Sequence, residues 1–329
     1  MDAKITKQRL GRLLSYDWIK IVALAVATVI LWSIIFTVTS TQITPSQQFI
    51  VFNYYSNASL SDEFFHVYEK TKKNNKFSYE IIEQGINDLS VVGIDTAYTL
   101  LEARFAVSEG DIIFIPNAND LSTGQPSQDG SEPTYTTFMQ QFFNAWHFNV
   151  YNVDEYLNGM RAFVSAYYID EDQNENNNYI NGVFNEEKAR ADFISRVKKN
   201  KDKRFRKEKE IQNGVLAEFD RIKKYKDAIM QFDEYLDEGI IELTAMSWTS
   251  ADGAYKKEGN FAVNLCPTNG KTKELKRQLS YYSAEQDAYT AENMHVMFFN
   301  LPNVEDSFQY ESVIYINEVI SAALTATQS

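Results

Sequence analysis

The chain has 329 residues, with 32 Lys and Arg against 45 Asp and Glu, a net charge of −13. That balance argues against a nucleic-acid binder and against broad adhesion to anionic lipid. A single cysteine excludes an internal disulfide framework, and 14% aromatic residues exclude a disordered stalk.

Ile21 to Val38 carries no charged side chain. At about 1.5 Å per residue, such a helix nearly crosses a hydrocarbon core of roughly 30 Å. Lys4, Lys7, Arg9, Arg12 and Lys20 precede it against Asp2 and Asp17, and no Lys or Arg follows until Lys70. The asymmetry predicts a single-pass protein of the cell membrane. Residues 1–20 are cytoplasmic in this reading, 21–42 form the transmembrane helix, and 43–329 make an extracytoplasmic α/β domain. Val38 to Gln42 matches a cleavage site poorly, and no Cys follows the apolar run, so an anchor is read rather than a leader or a lipoprotein. The linker Thr41 to Gln48, about 8 residues, reaches at most roughly 28 Å.

Phe49 to Tyr55 is apolar on both faces and predicts a buried parallel strand. Phe64, Phe65, Val67 and Tyr68 predict a helix capped by Ser59 or Ser61, and Phe77 to Gln84 a second strand. A helix over Thr96 to Ser108 and a third strand over Asp111 to Pro116 complete an α/β portion, 49–120. Leu121 to Pro133 reads as a loop. Residues 134–238 are mainly helical: Thr136 to Tyr168 in pieces with an aromatic face of Phe138, Phe142, Phe143 and Trp146, then Asn185 to Glu238. That last stretch is one helix or a hairpin broken at Gly214, with a buried stripe of Val215, Phe219, Ile222, Ile229, Phe232 and Leu236. A second α/β portion, 240–329, holds strands Ile240–Trp248, Asn260–Leu265 and Met294–Leu301, with helices Asn269–Tyr282 and Phe308–Leu324.

Motifs for catalysis are missing. There is no phosphate loop, no H-E-x-x-H, no C-x-x-C and no nucleophile elbow, and the three histidines lie far apart in sequence. No cofactor, metal site or enzymatic activity is assigned. Asp170, Asp172, Asn174, Asn176 and Asn178 alternate as calcium ligands do, but Glu175, Asn177 and Asn181 break the pattern, which favours a solvated loop. The run Arg196 to Lys209 is strongly basic; a solvated helix face is preferred over an anion-binding patch. In open α/β sheets ligands gather beyond the carboxyl ends of strands. Those ends carry Asn53, Tyr54 and Tyr55 after the first strand, and Asn117 and Asn119 after the third. Trp248 joins them as a stacking platform.

The junction Phe105-Ala106-Val107-Ser108-Glu109-Gly110-Asp111-Ile112-Ile113-Phe114-Ile115-Pro116 and the pattern from Phe49 to Asn117 resemble the first lobe of bacterial extracellular solute-binding proteins. These have the type II periplasmic-binding-protein fold. The resemblance implies a two-lobed domain, here with a long helical insertion, that captures a small solute such as a sugar without catalysis. Its implied partner is an importer permease or another membrane protein complex. An interaction or scaffold protein of an envelope complex that has lost its ligand, docking through Asn185 to Glu238, is the alternative.

Overall fold

The computed structural model describes residues 11, 18–39, 43–54, 58–60, 76–124, 134–169, 178–200, 202–301 and 310–326. Two compact units divide the chain, Met1–Gln42 and Ile43–Ser329. The first contains helix α1, Trp18–Thr39. Its span Trp18–Phe36 has a mean hydropathy of 2.5 and is exposed throughout, so it is long and apolar enough to cross a membrane. A helix apolar on every face has no polar stripe to offer water.

The second unit is mixed α/β. Its strands are β1 (Gln48–Asn53), β2 (Ala58–Leu60), β3 (Glu83–Asp88), β4 (Ile112–Pro116), β5 (Tyr168–Ile169), β6 (Val183–Phe184), β7 (Glu242–Thr249), β8 (Lys256–Asn264), β9 (Leu279–Ser283), β10 (Ala288–Thr290) and β11 (Met294–Phe298). Its main helices are α2 (Ile94–Ala106), α3 (Phe138–Trp146), α4 (Val153–Ser165), α5 (Glu186–Asn200), α6 (Glu208–Asp237) and α7 (Glu311–Ala326). Six strands form one sheet in the order β3-β1-β4-β11-β8-β7. β3, β1 and β4 run parallel, whereas β11 returns antiparallel between β4 and β8. Every residue of β4 and β11 is buried, as both-face burial demands of apolar runs such as Ile-Ile-Phe-Ile.

Here the expectation of two lobes meets a different arrangement. β7, β8 and β11, read as belonging to a second α/β portion, add their ladders to the sheet started by β1 and β4 instead of building one of their own. Phe77 to Ile82 is a turn with Phe77, Ser78 and Glu80 buried rather than the start of a strand, and β3 begins only at Glu83. Its backbone and side chains are claimed elsewhere: Ser78 donates to Glu311 on α7 at 2.5 Å, and Lys224 donates to the Phe77 carbonyl at 3.1 Å. Residues 269–282 are not a helix. Lys273–Arg277 makes a short 3-10 turn, and β9 follows. The helix expected over Phe64 to Tyr68 and the acidic loop 170–177 lie outside the described residues.

Asn185 to Glu238 is a hairpin, yet its two helices part between Asn200 and Glu208 and not at Gly214, which sits inside α6. Gly214 is required for contact: a Cβ there would lie 2.4 Å from Phe193 Cζ and 2.7 Å from Phe205 Cε1. The expected stripe from Val215 to Phe232 is buried, with Leu236 partly covered. Two of the basic residues in Arg196–Lys209 also turn inward. Arg196 pairs with Glu218 at 3.0 Å and Arg204 with Glu80 at 2.6 Å, and Arg221 completes the cluster by pairing with Glu218 at 2.7 Å. Arg221 has no exposure and lies over the rings of Phe163 and Tyr225. Burial alone would raise the Glu218 carboxyl; Arg221 and Arg196 hold it down at about 2.

Asp111, at the start of β4, accepts the Ile50 amide at 2.6 Å and is pushed up to about 7 by loss of water. An acid with a raised folded-state value favours folding while protonated, and that contribution is lost as pH rises through about 7. A shift of this size corresponds to at most about 4 kcal/mol; partial exposure of the residue reduces it to about 1–2 kcal/mol. Asp111→Asn, which keeps an acceptor for Ile50, is therefore expected to raise stability at pH 8 and to flatten the fall that the unaltered chain shows between about pH 4 and about pH 7. His295 acts with the opposite sign over the lower part of that window, in both proteins alike. Burial holds it near 4, so its contribution is present above the ordinary histidine range and is lost as pH falls through about 4. Urea titrations of both proteins across that range measure the difference.

Candidate functional site

At the carboxyl end of β4 the chain turns through Asn117, Ala118, Asn119 and Asp120, and three backbone hydrogen bonds hold this turn. Asn117 N–H donates to Asn293 O at 2.9 Å, and Phe138 N–H, at the start of α3, donates to Ala118 O at 3.0 Å. Asp120 N–H donates to Thr136 O at 3.1 Å, and this bond and the one from Phe138 together form the antiparallel bridge of Asn119 with Thr137. The Thr137 hydroxyl caps α3 by accepting from Gln140 N–H.

Opposite this turn stands the hairpin of β9 and β10, with its tip at Ala284 to Asp287. Asp287 and, on the approach to β11, Asn293 adopt φ of 49° and 56°. Asn and Asp tolerate this left-handed backbone better than other L-residues. Between the two walls lies a polar cavity of about 250 Å³. Asn117, Asn119, Glu285, Gln286, Glu292 and Asn293 carry its side-chain chemistry, with Tyr281, Tyr282 and Ser283. Asn119 Nδ2 donates to Glu285 Oε1 at 2.6 Å across the mouth, tying hairpin to turn. Gln286 Nε2 donates to Glu292 Oε2 at 3.2 Å, and the Tyr281 hydroxyl to the Glu292 carbonyl at 2.8 Å. The side-chain amide of Asn117 makes no hydrogen bond among the described residues.

Of the residues expected to bind a ligand, the structure brings together Asn117 and Asn119. Asn53 and Tyr54 are buried beneath the sheet end instead. Asn53 donates to Asp88 at 3.0 Å, and the Tyr54 ring packs against Phe142 and Tyr98 at centroid distances of 5.4 and 6.2 Å. Burial pushes the Tyr54 phenol far up, as expected of a core tyrosine. Tyr55 lies outside the described residues.

Trp248 is at the other end of the sheet. Pro116 pairs with Met294, His295 with Asn264, and Asn264 with Glu242, so the Asn117 end of β4 matches the Glu242 end of β7. Trp248 pairs with Lys257 at the far end and stacks on His147 at 3.8 Å. Trp146 packs against Phe105 and Tyr98.

Tyr281 to Gln286 and Glu292 escaped the sequence reading because 269–282 reads as helix. The signal available was the short Ser-Tyr-Tyr-Ser run, followed by polar residues and a second run, Ala-Tyr-Thr, which together fit a hairpin. Among the described residues no group of three or more His, Cys, Asp or Glu is placed to hold a metal ion. No known protein family, curated protein or solved structure matches the chain.

Proposed function

We propose that this chain is a membrane-anchored, extracytoplasmic binding or sensing protein without catalytic activity, and that it captures a small polar solute at the groove between the β4 turn and the β9–β10 hairpin. The observation that carries this reading is the groove itself, at a strand's carboxyl end, with the Asn117 amide unengaged and the surrounding turn held by backbone hydrogen bonds. A pre-formed polar site loses little freedom on binding. α1, with four basic residues before it, Lys20 in its first turn and none immediately after, supports the anchor and the outward orientation. The parallel trio β3-β1-β4 with the Phe105–Pro116 junction supports the likeness to the first lobe of solute-binding proteins, and with it a link to an importer. The two-lobed form is not needed: both walls of the groove belong to the Ile43–Ser329 unit.

A second reading, an envelope interaction protein, draws on one observation. Lys198, Lys199, Lys203, Arg206, Lys207 and Lys209 stay exposed at the α5–α6 corner of an acidic chain, a patch suited to an acidic partner.

Thermal-shift screening of the detergent-solubilised chain against sugars, amines, amino acids and oligoanions tests the first reading. A ligand at 100 times its Kd adds about 2.7 kcal/mol of stability, and Asn117→Ala is expected to remove most of that gain. The absence of any shift across the panel sinks the solute-binding reading. Recovery of one protein partner that Lys198→Glu, Lys199→Glu and Lys203→Glu together abolish favours the second.

A further inference from the structure

Resting on the reading of the groove as a solute site, we infer the class of solute: a small polar molecule that carries a protonated amine. The cavity decides this by what its walls contain. Amides from Asn117, Asn119, Gln286 and Asn293 serve any hydroxyl-rich ligand, as donors and acceptors alike. The charged groups of the lining, however, are all of one sign. Glu285 and Glu292 line the cavity, and no Lys, Arg or His lines it among the described residues. Among the described residues neither carboxylate forms an ion pair. Glu285 accepts from the Asn119 amide and Glu292 from the Gln286 amide, both neutral donors.

An ionised carboxylate has room for about four hydrogen bonds, so most of the acceptor capacity of both groups is held by water. A solute entering a space of about 250 Å³ displaces that water. Glu285 is exposed at the hairpin tip and Glu292 half-buried, so a neutral polyol strips part of the water from two like charges and returns only dipoles, which is unfavourable. An anion adds a third negative charge, and the chain's net charge of −13 repels it at longer range. An ammonium group offsets the lost hydration and makes the short, charge-assisted hydrogen bonds that carboxylates accept best. The cavity lies below the range of roughly 300–1,000 Å³ usual for drug-sized ligands, so the solute is of about monosaccharide size.

Two probes that share a ring and differ by one amine separate charge from shape: glucosamine and glucose, titrated calorimetrically into the detergent-solubilised full chain at slightly acidic pH, beside inorganic phosphate. Glucosamine is expected to bind about tenfold or more tightly than glucose, to weaken as salt is added, and phosphate not to bind. Glu285→Gln with Glu292→Gln keeps an acceptor oxygen for both amide donors. In that variant the preference for glucosamine is expected to vanish while binding of glucose stays or improves. Equal or tighter binding of glucose by the unaltered chain, or binding of phosphate, overturns the amine inference and leaves the groove a solute site. No heat from any of the three, with no thermal shift from a wider set of amines, overturns the groove and the inference together.

Discussion

Replacing Glu218 by Ala is expected to cost about 3–5 kcal/mol, the usual penalty for stripping one partner from a buried ion pair. Arg221 has no exposure, and Arg196 also reaches Glu218, at 3.0 Å. Removing the carboxylate therefore leaves two guanidinium groups in a region arranged around its charge, and Tyr79, whose hydroxyl donates to Glu218 at 2.9 Å, loses its acceptor as well. Urea denaturation followed by tryptophan fluorescence measures the loss. The double variant Glu218→Leu with Arg221→Met is expected to recover most of it, because removing both charges of a pair is far cheaper than removing one. If the single variant costs less than about 1 kcal/mol, the cluster is solvated and the packing described here is wrong.

Phe142→Ala is expected to cost about 3–5 kcal/mol, the range for emptying a buried aromatic site. Phe142 is fully buried on α3 and lies between Tyr54 and Phe299, at centroid distances of 5.4 and 6.4 Å. The effect should also reach the groove. The α3 start holds Ala118 through the Phe138 amide, so a loosened α3 frees the turn that carries Asn117 and Asn119. Phe148→Ala, a few residues on but 74% exposed, is the matched control and should change stability by no more than about 0.5 kcal/mol. Similar losses for both variants would show that α3 does not pack as described.

What could be read in advance followed from how strongly each segment's pattern constrains it. β1 and β4 are apolar on both faces, and only a covered parallel strand accounts for that; the turn after β4 then located Asn117 and Asn119. The same rule misplaced Asn53 and Tyr54, because the end of β1 is roofed by Tyr98 and Phe142, which come from α2 and α3. Trp248 stands apart from the groove for a related reason: direction within a strand is set by its pairing partner, and antiparallel pairing to β8 carries it to the other end of the sheet. Phe77 to Ile82 has strand-like residues, but Ser78 and Glu80 are bound to α7 and α5–α6 groups far along the chain, beyond the reach of local pattern. The hairpin β9–β10 was lost because one turn of 3-10 helix, Lys273–Arg277, carries helical signals into it.

The place of β11 in the sheet governs the order in which this molecule can be made. β4 pairs on one side with β1, an early neighbour, and on the other with residues 294–298. Until those residues leave the ribosome, the apolar edge of β4 has no partner, and an open edge of that kind invites pairing with other chains. β7 and β8 can close on each other, but they join β4 only through β11. Such dependence on distant pairing makes folding slow and exposes the incomplete chain to aggregation. Were the domain exported as proposed, a polypeptide that stays open until β11 arrives would pass a translocation pore as an unfolded thread, with the sheet closing only afterwards.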